Sequence, residues 1–572
     1  MTAGTVVRIN GPVVDVTGLE TAMLDLVEVG TARLPGEVIG IDSDVTTVQV
    51  YEYTGGMRPG EPARSTGLPL AAELGPGLIG GVFDGMLRRL RGAADMLEPG
   101  ARTGTLSPEQ RWSFTPDVKA GDELTGGAVI GRLPETTAVE FRALVPPGVA
   151  GTVEWVAAEG KVGVGETIAR VGGQDLTLRQ LWPVRRPRPV AERRRAVAPL
   201  ITGQRVLDLF FPVALGSSAA IPGGFGTGKT VLLQQIAKWC DATVIVYVGC
   251  GERGNEMADV LGELSALIDP RTGTSLLDRT VLIANTSNMP VLAREASIYT
   301  GATVAEFYRD MGYDVVLVAD STSRWAEALR EVASRTGELP AEEGYPAGLA
   351  SALAAFYERA GRVRTLGGDE ASVTILGAVS PPGGDMTEPV SAHTRRFVRC
   401  TWSLDPDLAY ARHYPAIRWQ DSSSRDVEPI ASWRTLEGDP DWARRREEGL
   451  RLLAEADRLE AIAELVGAAT LPDEERLVLW SARLLREGVL QQNSMSANDT
   501  YSAVSKQEAL LELVLGIHAE CKRLLGRGVS FSTVQQADLS AVTQVRDAAP
   551  PDGAQEVRDV ATRVFRLLGS LA

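Results

Sequence analysis

The sequence predicts a multidomain α/β protein: an N-terminal β-barrel, an inserted β-rich domain, a P-loop core with a parallel sheet, and a C-terminal helical domain. Three observations predict it. A run of G-x-x-x-x-G-K-[ST] form sits between an apolar strand pattern and an amphipathic helix pattern at residues 218–240. Strand and helix patterns alternate from about 190 to 435, as in a parallel sheet with crossover helices. Beyond 436 only helical periodicity remains.

Taken in chain order, residues 1–68 read as short strands with turns at Gly11-Pro12, Pro35-Gly36 and Gly55-Gly56, and Val48 to Glu52 alternates in the strand manner. A small barrel accommodates them. Residues 69–99 form a linker region, with Leu74 to Leu90 leading into a helix. Residues 100–185 are glycine-rich and β-like, an inserted bulge domain. The segment Trp182 to Pro189 carries three prolines and several arginines. Proline disfavours regular structure there, and the arginines read better as a solvated linker than as a nucleic-acid patch. Residues 190–435 form the P-loop core, and 436–572 the helical domain. In the latter, Leu452, Ala456, Leu459, Ala463 and Val466 recur at steps of three and four, with Ile462 widening the stripe. Residues 505–526 repeat that style.

A chain of 572 residues exceeds one ordinary core and implies three or four domains. Its 44% hydrophobic and 23% charged residues describe a globular protein. A net charge of -16 argues against a general nucleic-acid binder. Cys240, Cys250, Cys400 and Cys521 form no C-x-x-C pair, and there are three histidines. A disulfide framework and a zinc site are therefore not expected, and a reducing compartment is. The first residues lack the apolar run of a signal peptide, and no run is long enough to span a bilayer. Any link to a membrane is expected to pass through partner proteins.

The residues Gly223, Gly224, Phe225, Gly226, Thr227, Gly228, Lys229 and Thr230 match the phosphate-binding loop in full. Glycines let the backbone aim N–H groups inward, and the following helix adds its positive N-terminal end. Lys229 supplies a charge for the β- and γ-phosphates, and the Thr230 hydroxyl can bind Mg²⁺. Val231 opens the helix beside them. The apolar run Val315 to Ala319 reads as a buried parallel strand, with Asp320 at its carboxyl end, where such sheets bind ligands. Asp320 can hold Mg²⁺ there. A third segment, Gly249 to Glu256, follows the strand pattern from Thr243 to Val248. It brings Glu252, able to orient a water, and Arg253, able to neutralise phosphate charge, to the same edge.

GGFGTGKT, YVGCGERGNEM, DRTVLIANTSNMPVLAREASIYTG, VADSTSRWAEALRE, EGYPAGLAS, FYERAGRV and GAVSPPGGDMTEP occur in an order that resembles the catalytic A subunit of vacuolar/archaeal-type rotary ATPases. The resemblance covers essentially the whole chain, including GPGLIGGVFDG, VPPGVAGTVEW and LQQNSMSANDTY. It implies a RecA-like core, and the inserted region separates this family from the F-type β subunit, the B subunit and secretion-type ATPases. It implies that Lys229 and Thr230 hold phosphate and Mg²⁺, Glu252 is the catalytic carboxylate, Arg253 contacts the γ-phosphate and Asp320 is the acidic metal-side residue. Tyr414, Gln492 and Met495 fall in the segments that surround the adenine. The implied activity is hydrolysis or synthesis of ATP with Mg²⁺, coupled to H⁺ or Na⁺ transport. The implied partners are a non-catalytic B-type subunit, which alternates with this chain in a hexamer and supplies an arginine finger, a central rotor shaft and peripheral stalk subunits. No nucleic-acid partner is implied. The implied location is the cytoplasmic face of a membrane, held there peripherally.

Some positions depart from the family pattern. Thr227 stands where eukaryotic members carry cysteine, and Met495, Ser423 and Met386 stand where aromatics are common. They bear on the base pocket and leave the phosphate chemistry untouched. Two other readings compete. A homohexameric P-loop translocase would be expected to carry an RNA-binding module, and none is visible. A non-catalytic assembly subunit would be expected to have lost Lys229, Thr230 or Glu252, and all three are present.

Overall fold

The computed structural model describes residues 3–90, 97, 100, 103–269 and 273–571, apart from the side chain of Val466. The chain divides into two compact units, residues 1–195, 216–218 and 242–398 in one, and residues 196–215, 219–241 and 399–572 in the other.

The first unit opens with a closed six-stranded barrel, formed by Ala3–Asn10, Val13–Thr17, Asp25–Val29, Leu34–Asp42, Val45–Val50 and Pro62–Pro69. Alternate residues such as Val14, Val16, Val27, Val29, Val38 and Val48 point inward and are fully buried, as strand periodicity requires. Gly11-Pro12 and Gly55-Gly56 are turns as expected, but Pro35-Gly36 is not. Both lie inside the strand Leu34–Asp42. At Gly36 a Cβ would come within 2.6 Å of the Val48 side chain on the neighbouring strand. The glycine serves a close approach between strands, which sequence alone does not distinguish from a turn.

The helix expected after Leu74 is also absent among the described residues. Ala71–Leu74 and Val82–Phe83 are short strands. Leu78, Ile79, Val82, Phe83, Leu87 and Leu90 are all buried, which leaves no polar face for a surface helix. The part of the expectation that concerns residues 91–96, 98 and 99 lies outside the described residues. The strands between residues 111 and 177 form two four-stranded antiparallel sheets.

The Arg-rich segment is not a solvated linker. Arg185 sits between Glu37 of the barrel and Glu295, at 3.0 and 2.7 Å. Arg188, with a 1% exposed side chain, pairs with Asp310 at 2.6 Å and lies over the Trp182 ring. Glu295 and Asp310 belong to the long helix Val291–Asp310. The arginines therefore tie the barrel and the end of the inserted region to one helix of the core, and burial with carboxylate partners is what a guanidinium tolerates.

The core sheet of this unit is parallel in the order Glu370–Val379, Asp314–Asp320, Val244–Cys250, Thr280–Asn285, Val82–Phe83. Its strands are near-continuous Val, Ile, Leu and Ala because both faces are buried.

The second unit carries Ala219–Pro222 of the strand Ser218–Pro222, whose Ala219 and Ala220 pair in parallel with Cys400 and Thr401, and the helix Lys229–Trp239. The rest is largely helical, with long helices Trp442–Val466, Asp473–Leu485, Val504–Gly526 and Ala554–Gly569. Leu452, Ala456 and Leu459 are buried as the stripe predicts, and Ala463 is half-buried. Ile462 is exposed and does not widen the stripe, and the side chain of Val466 lies outside what is described. All four cysteines are buried thiols. No helix among the described residues is long and apolar enough to cross a membrane.

A buried ion cluster holds the loop 489–500 in the second unit. Arg205 and Asp499 are both fully buried and pair at 2.7 Å, and Arg546 reaches the other oxygen of Asp499 at 2.8 Å. Arg205 also donates to the carbonyls of Val489 and Gln491. Removing the carboxylate takes from both guanidiniums the counter-charge they share. Asp499→Ala is therefore expected to destabilise this unit by on the order of 3–5 kcal/mol, seen as an earlier urea transition of the helical signal in circular dichroism. An unchanged midpoint would contradict the cluster's role.

Candidate functional site

In the second unit, the strand ending at Pro222 runs into the loop Gly223 to Gly228 and then into the helix Lys229–Trp239. Gly228 precedes the helix in the left-handed region at φ 89, a conformation open to glycine without cost. At Gly223 a Cβ would come within 2.7 Å of Leu404 and 2.8 Å of the Thr227 hydroxyl, so no side chain fits. The Thr227 hydroxyl donates to the Gly224 carbonyl at 2.9 Å. The Lys229 ammonium donates to the carbonyls of Gly223 and Gly224 at 2.6 and 2.8 Å. It thus curls over the loop that the motif assigns to phosphate. Thr230 is half-buried at the first turn, whereas Phe225 and Val231 are exposed.

The three base-pocket candidates separate. The Tyr414 ring lies 3.6 Å from where a Cβ on Gly228 would stand, so it covers the end of the loop. Gln492 is joined to it through the backbone, its N–H donating to the Tyr414 carbonyl at 2.7 Å. Its side chain faces elsewhere: the amide donates to the Gly203 carbonyl at 2.8 Å and its oxygen accepts from the Arg205 N–H at 2.9 Å. Met495 is 90% exposed at the tip of the loop.

In the first unit, parallel register governs the geometry. Gly249 pairs with Asp320 across adjacent strands, so the chain leaving Gly249 carries Glu252 past the carboxyl end of the strand that Asp320 terminates. The Glu252 carbonyl accepts from the Ser287 N–H at 2.9 Å, and the Gly251 N–H donates to the Asn285 carbonyl at 2.7 Å. These bonds fix the loop after the strand. Burial pushes the Glu252 carboxyl up to about 8, with further contributions from the charge of Asp320 and from Glu256, while Arg324 opposes them. Asp320 is 4% exposed and accepts a 3.0 Å hydrogen bond from the Tyr247 hydroxyl. Arg253 is exposed, with Glu256 at 3.9 Å. Burial pushes the neighbouring Cys250 thiol up to about 12, so it is not a reactive thiolate.

Within this unit, then, Glu252 and Asp320 share one edge, and Arg253 points into solvent beside them. Sequence pattern singles out neither Tyr247 nor Arg324. A signal for Tyr247 exists: it is the one aromatic in the buried strand VIVYVGC, and a buried phenol needs an acceptor. Among the described residues no group of three or more Asp, Glu, His or Cys side chains forms a metal cage. A donor set of one or two carboxylates suits Mg²⁺, which is commonly held by few side chains together with substrate phosphates.

The chain matches the model of the ATP synthase alpha/beta family nucleotide-binding domain over residues 203–424. It matches that family's beta-barrel domain over 6–67 and the ATP synthase alpha/beta subunit barrel-sandwich domain over 103–185. The C-terminal domain of V and A type ATP synthase matches 432–529. Among curated proteins, it is 49% identical to the V-type ATP synthase alpha chain of Halothermothrix orenii, over 98% of this chain and 97% of that one. It is 51% identical to the A-type ATP synthase catalytic-type A chain counterpart in Methanopyrus kandleri, over 94% and 93%. For the counterpart in Thermofilum pendens the identity is 46%, over 100% and 96%. Among solved structures, it resembles the ATPase EscN of the enteropathogenic E. coli type III secretion system. The TM-score is 0.65 at 22% identity, over 89% of this chain and 99% of that one, a likeness of fold.

The raised Glu252 carboxyl has a consequence for stability. Its folded value lies above the ordinary 4.5, so the fold favours the neutral form, and stability is lost as pH rises from that value through about 8. In protein free of nucleotide and metal, Glu252→Gln should raise the melting temperature at alkaline pH and leave it close to the parent's under mildly acidic conditions. An equal shift at both ends would contradict the assignment.

Proposed function

This chain belongs to the family of V-type ATP synthase alpha chains and their A-type ATP synthase counterparts, and from that premise we propose how its residues turn over ATP. It is the catalytic subunit of a rotary V/A-type ATPase, hydrolysing or synthesising ATP in assembly with other subunits. The reading of the residues rests above all on one observation, the pairing of Gly249 with Asp320 that brings the Glu252 loop beside Asp320.

Lys229 and the N–H groups of Gly223 to Thr230 bind the β- and γ-phosphates, and Thr230 and Asp320 hold Mg²⁺. The cation supplies positive charge against the phosphate oxygens. Glu252 orients the attacking water and accepts its proton. A carboxyl pushed up to about 8 is matched to a proton transfer near neutral pH. Arg253, exposed and weakly paired, is free to reach the γ-phosphate. Phe225 and Val231 flank the loop, and Tyr414 stacks against the base. The buried side chain of Gln492 acts on the base only by holding Tyr414 through the backbone, and Met495 contributes its thioether from the loop tip.

The reaction is coupled to H⁺ or Na⁺ transport through partner subunits, on the cytoplasmic face of a membrane. Three copies of this chain and three of a non-catalytic B-type subunit surround a rotor shaft in alternation, braced by peripheral stalk subunits, and the arginine finger comes from the B-type partner. The likeness to a secretion ATPase concerns the fold and favours no second reading.

In the assembled complex, Glu252→Gln is expected to lower kcat on the order of a hundred- to ten-thousand-fold while ATP still binds. Lys229→Ala should weaken ATP binding as well. Turnover by Glu252→Gln close to the parent's would remove Glu252 from the chemistry.

A further inference from the structure

Tyr247 lies in the middle of the strand Val244–Cys250 and is fully buried. It pairs with Val318 on the neighbouring parallel strand. Asp320 is two residues further along that strand, hence on the same face, within diagonal reach of a long side chain. The hydroxyl meets Asp320 Oδ2 at 3.0 Å. Burial raises the phenol's pKa well above its ordinary value, and the negative charges of Asp320, Glu252 and Glu263 raise it further. The phenol is therefore always the donor and the carboxylate always the acceptor. The hydroxyl takes up one of the two carboxylate oxygens from within the sheet.

This matters for a cation held by Asp320, the metal-side acid of the proposed function, on which the inference rests. Mg²⁺ demands compact octahedral geometry, keeps several waters and needs only single carboxylate oxygens. Ca²⁺ takes more ligands at longer distance and readily uses a carboxylate through both oxygens. We infer that Tyr247 is a positioning residue that sets cation specificity: by engaging Oδ2 it leaves Asp320 at most one oxygen to offer, which suits Mg²⁺ and disfavours Ca²⁺. The adjoining residues do not do this. Val246 and Val248 are aliphatic, and Arg324 faces Glu252, Glu256 and Glu327.

Tyr247→Phe removes one oxygen atom and keeps the ring that fills the core. The test is equilibrium binding of a fluorescent ATP analogue to the full chain in its complex, with Mg²⁺ or Ca²⁺ as the added cation, for the parent, Tyr247→Phe and Asp320→Asn. The parent should bind more tightly with Mg²⁺. In Tyr247→Phe that preference should shrink by about tenfold, with the unliganded melting temperature close to the parent's. In Asp320→Asn it should collapse. An unchanged preference in Tyr247→Phe, with collapse in Asp320→Asn, would overturn the inference and leave the role of Asp320 standing. A preference retained in Asp320→Asn would overturn both.

Discussion

Two carboxylates at one edge of a parallel sheet form the constraint on which the rest of the site depends. The register that pairs Gly249 with Asp320 brings the Glu252 loop to the place where the neighbouring strand ends. In a half-buried setting the two charges raise each other's cost, and burial adds to it. The outcome is a division of labour. Asp320, nearly inaccessible and hydrogen-bonded by Tyr247, is held as the acceptor. Glu252, further out on its loop, takes up a proton near neutral pH. A general base and a cation ligand thus arise from carboxylates of similar chemistry through different environments. The near-continuous apolar strands beneath fix that edge, and the arginines of the Arg185–Arg188 segment tie the barrel and the end of the inserted region to the helix packed on the sheet.

The second unit solves a different problem, holding a glycine-rich loop and an irregular segment in place. Gly223 is squeezed by Leu404, and Gly228 turns the chain into the helix whose first residue is Lys229. The segment 489–500 is irregular, yet carbonyls within it are taken up by Arg205 and Arg546, and Asp499 neutralises both. A buried ionic cluster is costly to assemble, but it specifies one loop conformation where packing alone would allow several. Tyr414 inherits that conformation through Gln492.

Much of this is legible in the sequence because it depends on local pattern. The glycines and Lys229 of the phosphate loop, the apolar strand ending in Asp320 and the alternation of the barrel strands each follow from a short-range rule. What is not legible depends on long-range contact. Pro35-Gly36 has turn composition, but Gly36 serves an approach to Val48 on another strand. The arginines near 185 look solvated until Glu37 and Glu295, far away in sequence, are brought to them. Gln492 sits in the segment expected around the base, yet its amide is consumed by Gly203 and Arg205. Tyr247 pairs with an aspartate 73 residues away.

The central claim, that this chain carries the catalytic acid–base chemistry of a shared rotary interface, is tested most directly by ATP turnover of the purified chain alone and together with its non-catalytic B-type partner. The account predicts turnover that appears only when the partner is present, because the arginine finger must come from outside. Equal turnover by the chain alone, as a homohexamer, would contradict it and point to a self-sufficient P-loop ATPase.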